Sequence, residues 1–265
     1  MPEYVYPLIG ITLIFLCTTL GALFVFFIRK KDISPKLNKI FTGFAAGVMF
    51  SASFFSLIKP ALETKVSYMP SWLVVGISIA LGACFLWLID KIVPHFHANE
   101  NKDEGLKTKR ISKTSKMFLA VTIHNVPEGL SVGIALGVAL SQPDNAALLL
   151  GALLLAIGIG IHNIPEGAVV SLPLKAESGS SSKAFLFGML SGIVEPIAAV
   201  IGLFLAMQIQ GIMPWALAFA AGCMIYVVAE EMIPEMTSEG HDHFGVWSFV
   251  LGFVIMLALD CIQFA

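Results

Sequence analysis

Along this chain apolar residues fall into runs of about 20, the length a helix needs to cross the hydrocarbon core of a bilayer, and short polar joints separate them. The runs lie at about 5–28, 37–58, 71–93, 117–140, 146–170, 184–207, 214–234 and 244–264, so eight spans are predicted. Lipid offers no partner to a free N–H or C=O, and each run is therefore expected as helix despite its wealth of Val, Ile and Phe. The first run follows Met-Pro-Glu-Tyr, which has no basic segment, and is longer than the core of a signal peptide, so it is expected to be retained. Between Tyr6 and Arg29 it carries no ionisable group, which predicts scaffold or lipid contact and nothing sharper. In the second run Gly43 and Gly47 stand one turn apart, a spacing that lets helix backbones approach closely. Met49 beside them is a candidate soft ligand or pathway residue, although a lone Met in a membrane helix is more often filler.

Composition agrees with an all-α polytopic membrane protein: 57% of the 265 residues are hydrophobic and 13% are charged, against about 25% charged in soluble domains. One transmembrane domain covering 1–265 is expected, with a flexible cytoplasmic loop at about 94–115 whose low hydrophobicity and mixed charge resist packing. Fourteen of the sixteen Lys and Arg lie in the odd-numbered joints, against Lys59 and Lys65 on the other side. By the positive-inside rule those joints are cytoplasmic and both termini lie outside. Tyr4, Tyr6, Tyr68, Trp72 and Trp215 are then expected at the outer interface, and Trp87 and Trp247 at the inner one. Cys17, Cys84, Cys223 and Cys261 all fall within spans without CxxC spacing, which argues against disulfides or a thiolate site. The net charge of −2 says little about partners, and no nucleic acid is expected among them.

The candidate chemistry is one hexapeptide written twice, His124-Asn125-Val126-Pro127-Glu128-Gly129 and His162-Asn163-Ile164-Pro165-Glu166-Gly167, with five of six letters repeated. On a helix with His at zero, the Glu falls near 40° and the Asn near 100°, about one narrow sector for all three ligand types. The carboxylate lies between imidazole and amide, placed to touch two neighbouring cations, one served by His and the other by Asn. Pro127 and Pro165 lack an N–H and are expected to free the carbonyls of Ile123 and Ile161. The two spans are joined by the short turn Ser141-Gln142-Pro143-Asp144-Asn145, so they run antiparallel, which suggests a pseudo-two-fold axis in the membrane plane with a site near the midplane. Glu195-Pro196 in the sixth span supplies a third intramembrane carboxylate. Glu230 and Glu231 at the end of the seventh span, before His241-Asp242-His243, suit an exit lane or an ordinary helix end equally well. His95 and His97, near Glu100 and Asp103, suit either the capture of a departing metal or a solvated loop. Asp90-Lys91 reads as an interfacial pair, and Asp260 is assigned no role.

A blander account has the Pro and Gly residues merely bending and packing two helices while each His and Glu finds a hydrogen-bond partner. Against it, an intramembrane carboxylate costs about 2.5–3.5 kcal/mol on insertion scales and usually marks an ion or proton path. Glu128, Glu166 and Glu195 need a counter-charge, and beyond Lys116 the only basic side chains are Lys175 and Lys183, both in a joint. A dication supplies it, with protons as the fallback. His, carboxylate and amide together suit Zn2+, Fe2+, Mn2+ or Cd2+ rather than Ca2+ or Cu+. An intramembrane zinc-dependent hydrolase stays in view, although it calls for His-Glu-x-x-His on one helix and a free general base. A divalent metal exporter is the nearest alternative among transporters.

Together the eight spans, the His-bearing loop after the third and the His-Asn-x-Pro-Glu-Gly motif in the fourth resemble the ZIP (Zrt/Irt-like) family of divalent metal transporters over essentially the whole chain. The second full motif, with Glu195-Pro196, is most similar to the prokaryotic GufA-like branch. The resemblance implies a 3+2+3 inverted-repeat fold, a multi-pass protein of a bacterial or archaeal inner membrane, and import of Zn2+ and related ions rather than catalysis. It implies a binuclear centre, with His124, Glu128, His162 and Glu166 around one metal and Asn125, Glu128, Asn163, Glu166 and Glu195 around the other. It further implies an elevator-like movement of spans one, four, five and six, frequent homodimers, and an exit lined by Glu230 and Glu231. Metal is expected as cargo, with no separate cofactor.

Overall fold

The computed structural model describes residues 5–28, 34–92, 95–97, 102–104, 113–208, 211–238 and 242–262, with backbone alone for 95–97, 102–104, 113–117 and Ala120. Eight helices among the described residues are long and apolar enough to cross a membrane. They are α1 (Val5–Phe27), α2 (Pro35–Glu63), α3 (Ser71–Ile92), α4 (Lys113–Ser141), α5 (Ala146–Ser178), α6 (Ser181–Gln208), α7 (Met213–Thr237) and α8 (Phe244–Ile262). Several outrun the hydropathy windows. Helix α5 passes through Pro173 and stops only at Gly179, whose φ of 67° is the left-handed turn that ends helices. Between α3 and α4, His95–His97 and Lys102–Glu104 pair as a short antiparallel ladder.

Prolines shape the helices that do not run straight. Pro60 in α2 and Pro234 in α7 cannot donate to the carbonyls of Ser56 and Glu230, and in both helices the turn just before widens into a π-helix, Ser53–Ile58 and Val228–Met232. In α6 the obstacle is Pro196. The helix breaks at Gly192 and Ile193, between Ser181–Ser191 and Val194–Gln208, and the Glu195 N–H turns to the Gly192 carbonyl instead of that of Ser191.

Helix pairing obeys a two-fold relation in which α1, α2, α3 and α4 exchange with α6, α7, α8 and α5. The tightest pairs are α4 with α6, α2 with α8, α1 with α5 and α3 with α7, and these map onto one another; α5 also rests on α2, as α4 rests on α7. The sequence bears this out in a second repeat, Phe44-Ala45-Ala46-Gly47-Val48-Met49 and Phe219-Ala220-Ala221-Gly222-Cys223-Met224. Gly47 faces the Phe249 carbonyl of α8, and Gly222 faces the Ile79 carbonyl of α3, each so closely that a Cβ would collide. Small residues let the backbones meet, which in lipid is where packing energy comes from. Met49 is buried in the main apolar core, with Met224 and Met256.

At the end of the bundle where α1 and α5 finish, Lys175 donates to the carbonyls of Val25 (2.6 Å) and Ile28 (2.9 Å), clasping the two helices together. At the start of α2 nearby in the chain, Lys39 pairs with Asp242 at 3.2 Å and Asn38 donates to Glu235 at 2.7 Å. Lys91 turns over the Trp87 ring, 3.6 Å from its centroid, and the Trp215 indole donates to the Tyr68 hydroxyl at 2.8 Å. Asp90 is hydrogen-bonded by the Tyr226 hydroxyl of α7.

Leucine at position 47 or 222 is expected to destabilise the detergent-solubilised protein by about 1–3 kcal/mol, seen as a lower thermal midpoint. Gly76 has nothing within 4 Å of its Cβ position, and Gly76→Leu should leave the midpoint unchanged. Equal midpoints for all three variants would contradict the close crossings.

Candidate metal centre

Both hexapeptides lie inside uninterrupted helix, α4 and α5, and their prolines do not end it. His162 on α5 points its Nε2 at Glu128 Oε1 of α4 at 3.0 Å, and the same nitrogen stands 3.2 Å from Glu166 Oε2, one turn along its own helix. The second contact is close without being aligned as a hydrogen bond, for Glu166 Oε2 is left without a partner. One ligand atom from each of Glu128, His162 and Glu166 fits within a span of 4.8 Å. Glu128 and His162 are almost wholly buried, while Glu166 is partly open.

Beside this trio lies a second set of polar groups, centred on Glu195. Turning the Glu195 N–H toward Gly192 frees the Ser191 carbonyl, which accepts from Asn125 Nδ2 at 3.0 Å. Asn125 Nδ2 also lies 3.2 Å from Glu195 Oε1, and Asn163 donates to Glu195 Oε2 at 2.8 Å. The carboxylate sits in the first turn of the second half of α6, where the helix dipole favours negative charge. Both amides thus turn their nitrogens to one acid, and both amide oxygens, Asn125 Oδ1 and Asn163 Oδ1, are buried without a hydrogen-bond partner. Glu128 Oε2 and His162 Nδ1 are in the same condition. Buried polar atoms rarely go unpaired, and these three oxygens and one ring nitrogen carry lone pairs of the kind that a cation takes.

The expected ligands are not all together. His124 leaves the trio and points its Nε2 at Glu231 Oε1 of α7, 2.7 Å away. By the two-fold relation its counterpart contact, matching His162 with Glu128, is with Glu166, which explains why Glu166 lacks an aligned partner. Glu230, next to Glu231 in the π-helical turn, is exposed. The side chains of His95 and His97, and the whole of His241, lie outside the described residues. Asp260 is buried in α8 and accepts from Ser56 of the α2 π-helix at 2.5 Å.

One site residue escapes a search for ionisable groups. Thr18, fully buried in α1, donates its hydroxyl to Glu195 Oε1 at 2.7 Å, so the first span is more than scaffold. No motif announces it; the signal available was a hydroxyl in an otherwise apolar run.

Comparison with known proteins agrees with this geometry. A family model described as ZIP Zinc transporter matches residues 4–117 and 113–260. The chain is 36% identical over 247 residues to the zinc transporter GufA of Myxococcus xanthus, covering 92% of this chain and 93% of that one. It is 34% identical over 300 residues to the human zinc transporter ZIP11, covering 82% and 86%. To the zinc transporter ZupT of Clostridium perfringens it is 33% identical over 271 residues, covering 91% and 90%. With eight spanning helices, a doubled His-Asn-x-Pro-Glu-Gly motif and these matches along most of its length, the chain belongs to the ZIP family, on its GufA-like branch.

Proposed function

We propose that this multi-pass membrane protein imports Zn2+ and related divalent ions, Fe2+, Mn2+ and Cd2+ among them, through a binuclear centre between α4, α5 and α6. The observation that carries this is the convergence of Glu128, His162 and Glu166 ligand atoms within 4.8 Å beside buried, unpartnered oxygens. The family's relatives are named as zinc transporters, which favours transport over hydrolysis. The ligand chemistry agrees, because both acids of the trio engage His162 and neither stands apart as a general base.

In this reading the first metal is held by His124, Glu128, His162 and Glu166, and the second by Asn125, Glu128, Asn163, Glu166 and Glu195. Each amide has only to turn over, presenting Oδ1 in place of Nδ2, for the second set to become acceptor throughout. His124 joins the first set by leaving Glu231, so a single imidazole passes between the centre and the acidic turn of α7. Release toward the cytoplasm then runs past Glu231 and Glu230, with His95 and His97 beyond. Met49, buried in the main apolar core, is assigned to this route as a neutral pathway residue. The basic joints support an orientation in the cell membrane with both termini outside. Two copies associate as a homodimer, within one transmembrane domain per chain and a cytoplasmic loop at about 94–115.

Substituting Glu128→Ala or His124→Ala should reduce 65Zn uptake into cells to the level of the empty vector while leaving the amount of protein in the membrane fraction unchanged. Robust uptake by both variants would defeat the ligand assignment. Asn163→Ala should lower occupancy of the second position more than the first. Anomalous scattering from Cd2+-soaked crystals checks this, and a variant with both positions full would argue against it.

A further inference from the structure

Gly129 of the first motif packs against the Glu195 carbonyl of α6, and Gly167 of the second packs against the Thr18 carbonyl of α1. Since the two glycines are equivalent members of the repeat and α1 exchanges with α6, Thr18 occupies the place in α1 that Glu195 occupies in α6. We infer that Thr18 is a positioning residue of the metal centre, the two-fold counterpart of Glu195, and that its hydroxyl holds the Glu195 carboxylate in the orientation that fills the second metal position. The inference rests on the reading of the centre given above and adds to it a residue that supplies no ligand atom.

Three observations support the role. A threonine hydroxyl has one proton, and here two acceptors compete for it: the Ile14 carbonyl at 3.3 Å and Glu195 Oε1 at 2.7 Å. Threonine in a membrane helix ordinarily bonds back to the carbonyl four residues earlier, but the shorter approach to a charged acceptor takes this proton. Next, the space around the contact is kept clear. A Cβ on Gly192, at the break in α6, would stand 2.8 Å from Thr18 Cγ2 and 3.1 Å from Glu195 Oε1, so any larger residue would press on both partners. Lastly, Thr18 and Glu195 are both fully buried, leaving the hydroxyl no exchange with water.

The contact also divides the labour of the carboxylate. Thr18 engages Oε1 together with Asn125, and Asn163 engages Oε2. When the amides turn to offer their oxygens to a metal, the Thr18 hydroxyl is the one of these three donors that still engages Glu195, and it orients the acid toward the ion. Hydroxyl in α1 and carboxylate in α6 also leave the centre with three acids, Glu128, Glu166 and Glu195, where strict two-fold repetition would give four.

Titration of purified protein in detergent with Zn2+, followed by calorimetry, tests the inference in the wild type and in Thr18→Val, Thr18→Ala and Thr18→Ser. The expected result is two binding events in the wild type. Valine and alanine should weaken the second by about 10–100-fold, as loss of an outer partner does in metal sites, and leave the first unchanged. Serine, which keeps the hydroxyl, should restore the wild-type titration. Unchanged binding in the valine and alanine variants, or a serine variant as weak as they are, would overturn the role of the hydroxyl while leaving the centre intact. A wild type that takes up no Zn2+ would overturn the centre, and the inference with it. The valine variant is nearly isosteric, and the alanine variant reads the same loss should valine fail to fold.

Discussion

A carboxylate taken out of water must find a positive partner or a proton, and this requirement governs the middle of the bundle. Glu128 and Glu195 are buried with almost no exposed surface, and Glu166 lies beside them. The basic side chain that follows them in α5, Lys175, is committed to the carbonyls at the end of α1. Among the described residues, the groups that hold the acids are imidazole, amide and hydroxyl, polar and adaptable and without a permanent charge.

The backbone contributes by breaking its own rules at chosen points. Pro196 interrupts α6, and the break frees the Ser191 carbonyl for Asn125 and sets Glu195 at the start of a new helical segment. Pro60 and Pro234 each follow a π-helical turn, and those turns carry Ser56 on one side of the bundle and Glu230 with Glu231 on the other. Each of these prolines thus goes with a local departure from α-helical hydrogen bonding in a turn that carries polar side chains.

Much of this was legible in the sequence, because lipid leaves the chain few options. Eight apolar runs had to be helices, the doubled motif had to meet across an antiparallel pair, and a carboxylate before Pro196 stood out against its surroundings. Three things did not show. Helix ends ran past the hydropathy windows, because polar residues such as Glu63 and Lys175 continue a helix once it leaves the apolar run. The Phe-Ala-Ala-Gly-x-Met repeat of α2 and α7 is built from residues common in any membrane helix, and only the matching contacts of Gly47 and Gly222 give it meaning. Thr18 was passed over because a hydroxyl carries no charge, although in a dry interior a single donor to a carboxylate matters more than it would in water.

Symmetry and its failures together say where direction enters. A bundle of strictly equivalent halves would present the same groups to both sides of the membrane, and its central site would favour neither. This chain keeps the equivalence in its packing glycines and in the facing motif carboxylates, Glu128 of α4 and Glu166 of α5, on either side of His162. It departs from equivalence in polar groups: Thr18 against Glu195, the Ser56 turn of α2 against the Glu230 and Glu231 turn of α7, and His162 turned inward against His124 turned to α7. Among the described residues the acidic π-helical turn of α7 reaches the motif through His124, whereas Ser56 in the π-helical turn of α2 donates to Asp260 of α8.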